Sequence, residues 1–276
     1  ALESTIITHG LPYPQNLDIA VKLERITRKN SVIPATIGII KGRAKIGLTL
    51  DEIEFLASSK SVQKVSIRNI AGCSALGLNG GTTVAATMFL AYKAGISVFA
   101  TGGIGGVHRD ADLSFDISAD LLALSRYPVI VVSAGAKAIL DLPKTIELLE
   151  TLSVPVYGYQ TDELPSFYSR KSGIRIESLK SPREIADIFK YSQDLNSGGM
   201  LIANPIPEIY EIPYHEISRT IEEALLSLKK SGIKGKEVTP FLLNELRILT
   251  QGNTVDANLK LIENNVRLAC EIAKSL

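Results

Sequence analysis

The chain alternates short β-branched and apolar runs with longer segments in which apolar positions recur at helical spacing. The short runs predict strands at 64–67, 96–100, 128–132, 154–159 and 200–203. The longer segments predict helices over 81–94, 117–126, 144–152 and 182–191. Gly95 is a C-terminal stop for the first of these. Pro182 suits the first turn of the last, where its missing N–H is no loss. Strands separated by helices call for right-handed crossovers, and so for a mainly parallel sheet covered on both faces. Beyond Pro213 the pattern is helical only, with helices predicted at 217–230, 239–250 and 255–275. The expected fold class is therefore α/β. It is a three-layer α/β/α arrangement with a mainly parallel central sheet and a helical C-terminal layer, one domain over 1–276. No repeat, low-complexity tract or linker interrupts it.

In such a sheet, ligands gather at the carboxyl ends of strands. The segment 101–120, TGGIGGVHRDADLSFDISAD, directly follows a predicted strand. Gly102, Gly103, Gly105 and Gly106 remove side chains from one loop, which lets backbone N–H groups approach an anion. The loop matches neither the dinucleotide fingerprint nor the Walker pattern, so a nicotinamide or a nucleoside triphosphate is not expected. His108 and Arg109 come next, then Asp110, Asp112, Asp116 and Asp120. Acids this dense need a cation or a set of caps to relieve them. Asp116 and Asp120 would share one face of a helix. A hard divalent ion, Mg²⁺ or Mn²⁺ rather than Zn²⁺, is one explanation. Capping and solvation of a helix start is the other, and the spacing leaves both open.

The second stretch is PVIVVSAGAKAILDLPKT, in which Lys137 follows a buried strand among small residues. Desolvation there would lower an ammonium pKa and expose the amine lone pair. That is the setting of a nucleophilic lysine able to form a Schiff base with a carbonyl. The plainer alternative is a surface lysine starting a helix, a position that disfavours cations. Lys64 opens a predicted strand and is either solvated or a phosphate ligand. Gly80 to Val84 begin a predicted helix, as an anion site or as an ordinary cap. Glu3, in the opening ALESTIITHGLPYPQN, reads on pattern alone as part of a solvated terminus, against a buried acid able to donate a proton.

Composition narrows the partners. Thirty basic residues against 29 acidic ones leave a formal net charge of +1, which gives no general pull toward nucleic acid or an anionic membrane. Aromatic residues are 6% and Trp is absent, so a stacking surface for single-stranded nucleic acid is not expected. No apolar stretch is long enough to cross a bilayer, and no basic region followed by an apolar one opens the chain. Cys73 and Cys270 read as two reduced, buried thiols in a cytoplasmic protein, too few for a cysteine metal site.

Taken in order, ESTIITHGLPYPQN, PATIGIIKGR, GGTTVAATM, ATGGIGGVHR, FDISADL, AGAKAILDL, PVYGYQTDELPSFY and NPIP closely resemble the pseudouridine-5′-phosphate glycosidase, or indigoidine synthase A-like, family. The resemblance runs from Glu3 to the last helix. The family carries a further segment ahead of the ESTIITHG motif, at which this chain nearly begins. The resemblance implies an α/β/α fold, a homotrimer and a requirement for Mn²⁺. It implies reversible cleavage of the C–C glycosidic bond of pseudouridine 5′-phosphate to uracil and ribose 5-phosphate. Lys137 then matches the lysine that bonds to C1′ of the ring-opened sugar, Glu3 the proton donor and Asp116 the manganese ligand. Ser118, Ala119 and Asp120 match a substrate-binding stretch. Lys64 and Val84 match further substrate contacts, and His108, Thr101 and Asn258 secondary members of the pocket. A Schiff-base aldolase or lyase on another sugar phosphate would share Lys137 and the anion loops. A non-catalytic phosphosugar-binding protein would share the loops without the turnover.

Overall fold

A computed structural model describes residues 1–233 and 238–276. It contains two sheets. The first comprises β1 (Ile37–Ile40), β2 (Arg43–Ile46), β3 (Gln63–Val65) and β4 (Gly80–Thr82), in the order β2-β1-β4-β3. β1 is antiparallel to β2 and β4, and β3 is parallel to β4. The second comprises β5 (Val98–Ala100), β6 (Ile130–Ser133), β7 (Val156–Tyr159), β8 (Glu177–Leu179) and β9 (Met200–Ala203), in the order β5-β6-β9-β7-β8 with every pairing parallel. β6 and β9 are buried along their whole length. This is why they read as unbroken apolar runs rather than as alternation.

Helices α1 (Gln15–Lys29), α2 (Leu50–Ser58), α3 (Ile70–Ala75) and α4 (Val84–Lys93) accompany the first sheet. Then follow α5 (Ala111–Ser114), α6 (Ala119–Arg126), α7 (Leu142–Thr151), α8 (Pro182–Asp194), α9 (Tyr214–Ser231), α10 (Val238–Leu249) and α11 (Asn253–Ser275). Their starts carry the expected chemistry. Thr49 and Glu52 form a reciprocal capping box on α2. Asp141 and Ser181 cap α7 and α8, each with Pro in the first turn. α11 packs on β5 and β6 between α1 and α8, while α6 packs on β9 beside α4 and α7. The α/β class, the parallel sheet and the helical C-terminal layer are thus as the pattern predicts.

Several boundaries differ from the sequence expectation. The helix predicted over 81–94 is β4 followed by α4, because Thr83 stays extended and caps the helix from outside. The strand predicted at 64–67 ends at Val65, where Ser66 and Asn69 close a capping box around a 3₁₀ turn. The helix predicted over 117–126 begins at Ala119, so Asp116 lies outside it and does not share a helical face with Asp120. Lys137 begins no helix, since α7 starts at Leu142 and the chain between is irregular.

The first residues are not frayed. Leu2 bridges in parallel to both Thr36, ahead of β1, and Ala100, at the end of β5. Its N–H donates to Ala35 O at 2.9 Å and its carbonyl accepts from Ile37 N at 2.9 Å. Ser4 is fully buried, and its hydroxyl donates to Ile37 O at 2.6 Å and accepts from Thr82 N at 2.9 Å. The chain start therefore splices the two sheets. Gly81 makes room for the turn that follows, since a Cβ there would sit 2.1 Å from Thr8 Oγ1 and 2.9 Å from its Cγ2. Gly81→Ala is expected to lower stability by about 1–3 kcal/mol through overpacking, measured as a shift in urea midpoint at unchanged m-value.

Candidate active site

Beyond the last paired residues of β5 and β6, the parallel ladder continues into the loops. Thr101 N donates to Val132 O at 3.0 Å, Ala134 N to Gly102 O at 2.9 Å, Ile104 N to Gly135 O at 3.1 Å and Lys137 N to Ile104 O at 3.1 Å. This extension fixes the backbone under Lys137 without a helix. A second pairing folds the glycine loop back on itself. Val107 bridges Ile117, His108 N donates to Asp116 O at 3.0 Å, and Ser118 N donates to Gly106 O at 3.0 Å. His108 and Asp116 are brought side by side in this way.

These loops, the splice and α4 surround a cavity of about 520 Å³. All the residues singled out by motif line it: Glu3, Lys64, Val84, Thr101, His108, Asp116, Ser118, Ala119, Asp120, Lys137 and Asn258. Phe167, Arg68 and Leu243 line it as well, and none was given a role, although Phe167 lies inside the quoted segment PVYGYQTDELPSFY. Arg68 lies a few residues beyond Lys64, but a single Arg in a short turn carries no pattern. Leu243 comes from a distant helix whose approach no local spacing announces, and Phe167 from a quoted motif whose approach to the glycine loop only the fold reveals.

Glu3 is the electrostatic centre of the cavity. The Thr101 hydroxyl donates a short hydrogen bond to its carboxylate. Glu3 keeps some exposure to the cavity, yet the surrounding walls desolvate it enough to raise its pKa above 4.5. Lys137, the Thr101 hydrogen bond and Lys64 oppose that rise, while Asp120 adds to it. No acid neighbours Lys137 in sequence; the fold supplies one in Glu3. His108 sits below its usual 6.5, chiefly by desolvation, with Lys137 and Lys64 pushing the same way and Asp116 opposing.

The acids of 110–120 do not form one cluster. Asp110 pairs with Lys229 at 3.2 Å and Asp112 with Lys144 at 3.7 Å, both at the surface. Asp120 is buried, and its two carboxylate oxygens accept from Ala85 N at 2.9 Å and Gly105 N at 2.8 Å. Asp116 makes no side-chain hydrogen bond or ion pair to a described residue, and its carboxylate faces the cavity. No group of three or more His, Cys, Asp or Glu able to hold a metal exists among the described residues. A single cavity-lining carboxylate such as that of Asp116 could hold a hard divalent ion only with waters or substrate oxygens completing the shell.

The glycines of the loop also have a steric role that the sequence expectation did not include. A Cβ on Gly103 would lie 2.5 Å from the Phe167 ring, one on Gly105 would lie 2.2 Å from Ser118 Oγ, and one on Gly106 would lie 2.5 Å from Thr145 Oγ1. The missing side chains let neighbouring walls close on the loop, and Gly105 N is already committed to Asp120.

A cavity at the carboxyl ends of parallel strands, holding an amine, a carboxyl group of raised pKa and an accessible carboxylate, defines an α/β enzyme. The family model for indigoidine synthase A-like proteins matches residues 1–275. A pseudouridine-5′-phosphate glycosidase of Petrotoga mobilis is 54% identical over 276 residues, covering 99% of this chain and 90% of that protein. The one from Staphylococcus aureus is 52% identical over 275 residues, covering 99% and 90%. Among solved structures, an indigoidine synthase A-like protein from Thermotoga maritima superimposes with a TM-score of 0.92 at 40% identity, covering 99% of this chain and 90% of that one. The prealnumycin C-glycosynthase, solved with ribulose 5-phosphate, gives 0.92 at 38%, covering 100% and 90%. The chain belongs to the indigoidine synthase A-like family.

The raised Glu3 pKa sets a signed expectation. Above the raised value the folded protein carries a desolvated charge that the unfolded chain does not, so ionisation of Glu3 costs stability there. Below 4.5 the carboxyl is protonated in both states and the cost vanishes. Glu3→Gln, neutral and nearly isosteric, is expected to raise Tm at pH 7. The gain should shrink as pH falls through the raised pKa, measured by calorimetry across pH.

Proposed function

We propose that this chain catalyses the reversible cleavage of the C–C glycosidic bond of pseudouridine 5′-phosphate, releasing uracil and ribose 5-phosphate. The observation that carries this reading is the meeting of Lys137 and Glu3 in one cavity of a chain about half identical to proteins named for that activity. The phosphosugar bound by the C-glycosynthase relative supports the same ligand class.

The bond to be broken joins C1′ to C5 of the base, so protonating a base heteroatom does not release it. In the proposed route the C1′–O4′ bond breaks, O4′ takes a proton to become a hydroxyl, and the Lys137 amine adds to C1′ and gives up a proton. The nitrogen lone pair then forms the C1′–N double bond as the C1′–C5 bond breaks. The bond electrons go to C5 of uracil, which takes a proton from Glu3. Water hydrolyses the resulting imine, frees ribose 5-phosphate and restores the amine. The environment of Glu3 suits the donor, since a carboxyl of raised pKa stays protonated closer to neutral pH. Lys64, Val84, Ser118, Ala119, Asp120, His108, Thr101 and Asn258 are assigned to the substrate side, with Lys64 facing the phosphate.

The accessible carboxylate of Asp116 is assigned as the Mn²⁺ ligand, with waters completing the shell. Bound there, the ion would supply positive charge beside the phosphosugar. The segment around α5 leaves Leu113 and Phe115 each 83% exposed, which supports burial against another copy in a homotrimer. Two free, buried cysteines fit a cytoplasmic setting, and no described helix is long and apolar enough to cross a membrane.

Sodium borohydride with ribose 5-phosphate is expected to attach a reduced pentose phosphate to Lys137, located by peptide mass mapping. Lys137→Ala should release no uracil and take no label, and equal labelling of that variant would defeat the lysine assignment. Asp116→Asn is expected to weaken Mn²⁺ binding, read as more free ion in an electron paramagnetic resonance titration.

A further inference from the structure

α11 is the most buried helix of the C-terminal layer, and among its buried polar residues Asn265 is the one with no exposure at all. Leu261, Ile262, Leu268 and Ile272 are buried at helical spacing, and Asn265, fully buried, stands among them. A buried carboxamide is costly unless its donors and acceptor are all engaged. Here they are. Asn265 Nδ2 donates to Thr101 O at 2.8 Å and to Gly102 O at 3.4 Å. Its Oδ1 accepts from Asn204 Nδ2 at 3.0 Å, and Asn204 N in turn donates to Ser133 O at 2.8 Å. Asn204 is itself buried, just past β9. The two side chains therefore clamp the chain just past β5 and just past β9 to α11, while the backbone of Asn204 continues the β9–β6 ladder. An apolar residue would pack in place of either side chain without supplying its side-chain bonds.

The clamped residue is Thr101, whose hydroxyl donates to Glu3. We propose that Asn265, held by Asn204, is a positioning residue that keeps Thr101 hydrogen-bonded to Glu3 and so tunes the proton donor. This rests on the reading of Glu3 as the acid. Four groups face Glu3: the Thr101 hydroxyl past β5, Lys137 past β6, Lys64 from β3 and Asp120 from α6. Asn265 controls only the first. The Thr101 hydrogen bond favours the ionised carboxylate. Loosening it leaves Glu3 protonated to higher pH.

The test is Asn265→Leu, with Asn204→Ala as a milder variant that carries the same expectation should the first fail to fold. kcat for uracil release is expected to fall about 10- to 100-fold with KM little changed, as for a misplaced catalytic group. The alkaline limb of the kcat profile should move to higher pH, and the effect should not add to that of Thr101→Val. The Glu3 carboxyl is also followed without turnover, by infrared difference spectra against Glu3→Gln. Its titration should move up in pH in the Asn265→Leu protein. An unmoved titration, or strict additivity with Thr101→Val, overturns the proposal. A fully active Glu3→Gln enzyme would instead sink the assignment of Glu3 as acid, while the infrared titration still reports on Asn265.

Discussion

The site depends on a splice of three residues. Leu2 is hydrogen-bonded beside the start of β1 in one sheet and bridged to the edge strand β5 of the other, and Ser4 is locked by three backbone and hydroxyl partners beneath β1 and β4. Glu3 sits between them, so its side chain has one way to point. Lys137 stands past β6 of the parallel sheet, and Lys64 stands on β3 of the mixed one. Neither sheet alone presents both lysines to a carboxyl group. The splice is thus what turns two neighbouring sheets into one cavity. It also explains why a carboxyl group so near the start of the described chain is desolvated.

That cavity separates its charges by role. A carboxyl between two ammonium groups would ordinarily ionise readily, yet desolvation is the larger influence on Glu3. The other acids are kept from interfering by separate partners. Asp110 and Asp112 are turned outward to lysines, and Asp120 is held by two backbone N–H groups. Backbone donors stabilise a buried carboxylate without bringing another mobile charge into the site. Asp116 lines the cavity without a side-chain hydrogen bond or ion pair to a described residue. Of the four acids, then, two line the cavity, one of them held by backbone donors, and two are paired to lysines at the surface.

The pattern of apolar residues was enough to place β5, β6, β7, β9 and α6 to α11 within a few residues, because long helices and buried strands have distinctive periods, whereas the short, largely exposed β8 has no such pattern and was not predicted. The first sheet was less legible. β1 and β2 are four residues each and flank a tight turn, and β4 is two glycines and a threonine. Such a strand exists through its neighbours, with Ser4 and Val65 supplying the contacts that its own side chains lack. The helix predicted across Gly81 failed for that reason. Motif resemblance supplied the site residues, and the fold gathers them; local spacing could not, because Glu3 and Lys137 are far apart in sequence. Asn265 was present as a polar interruption of an apolar stripe, a signal whose meaning appears only once its three partners are known.

The glycine loop shows how one local composition serves two different physical ends. Glycines after a strand often leave N–H groups free for an anion. Here their main effect is steric. Phe167 lies against Gly103, Ser118 against Gly105 and Thr145 against Gly106, at separations no Cβ could occupy. Loop 101–108 is pressed from several sides and cross-linked by Asn265, Asp120 and the extended ladder to β6. A loop held in this way has few alternative conformations. Its groups therefore need little reordering when a substrate enters, which is where preorganisation lowers a barrier. Rigid placement of Thr101, His108 and the Lys137 backbone is consequently bought by the absence of side chains nearby, and any substituent on Gly103 or Gly105 would loosen the acid and the amine together.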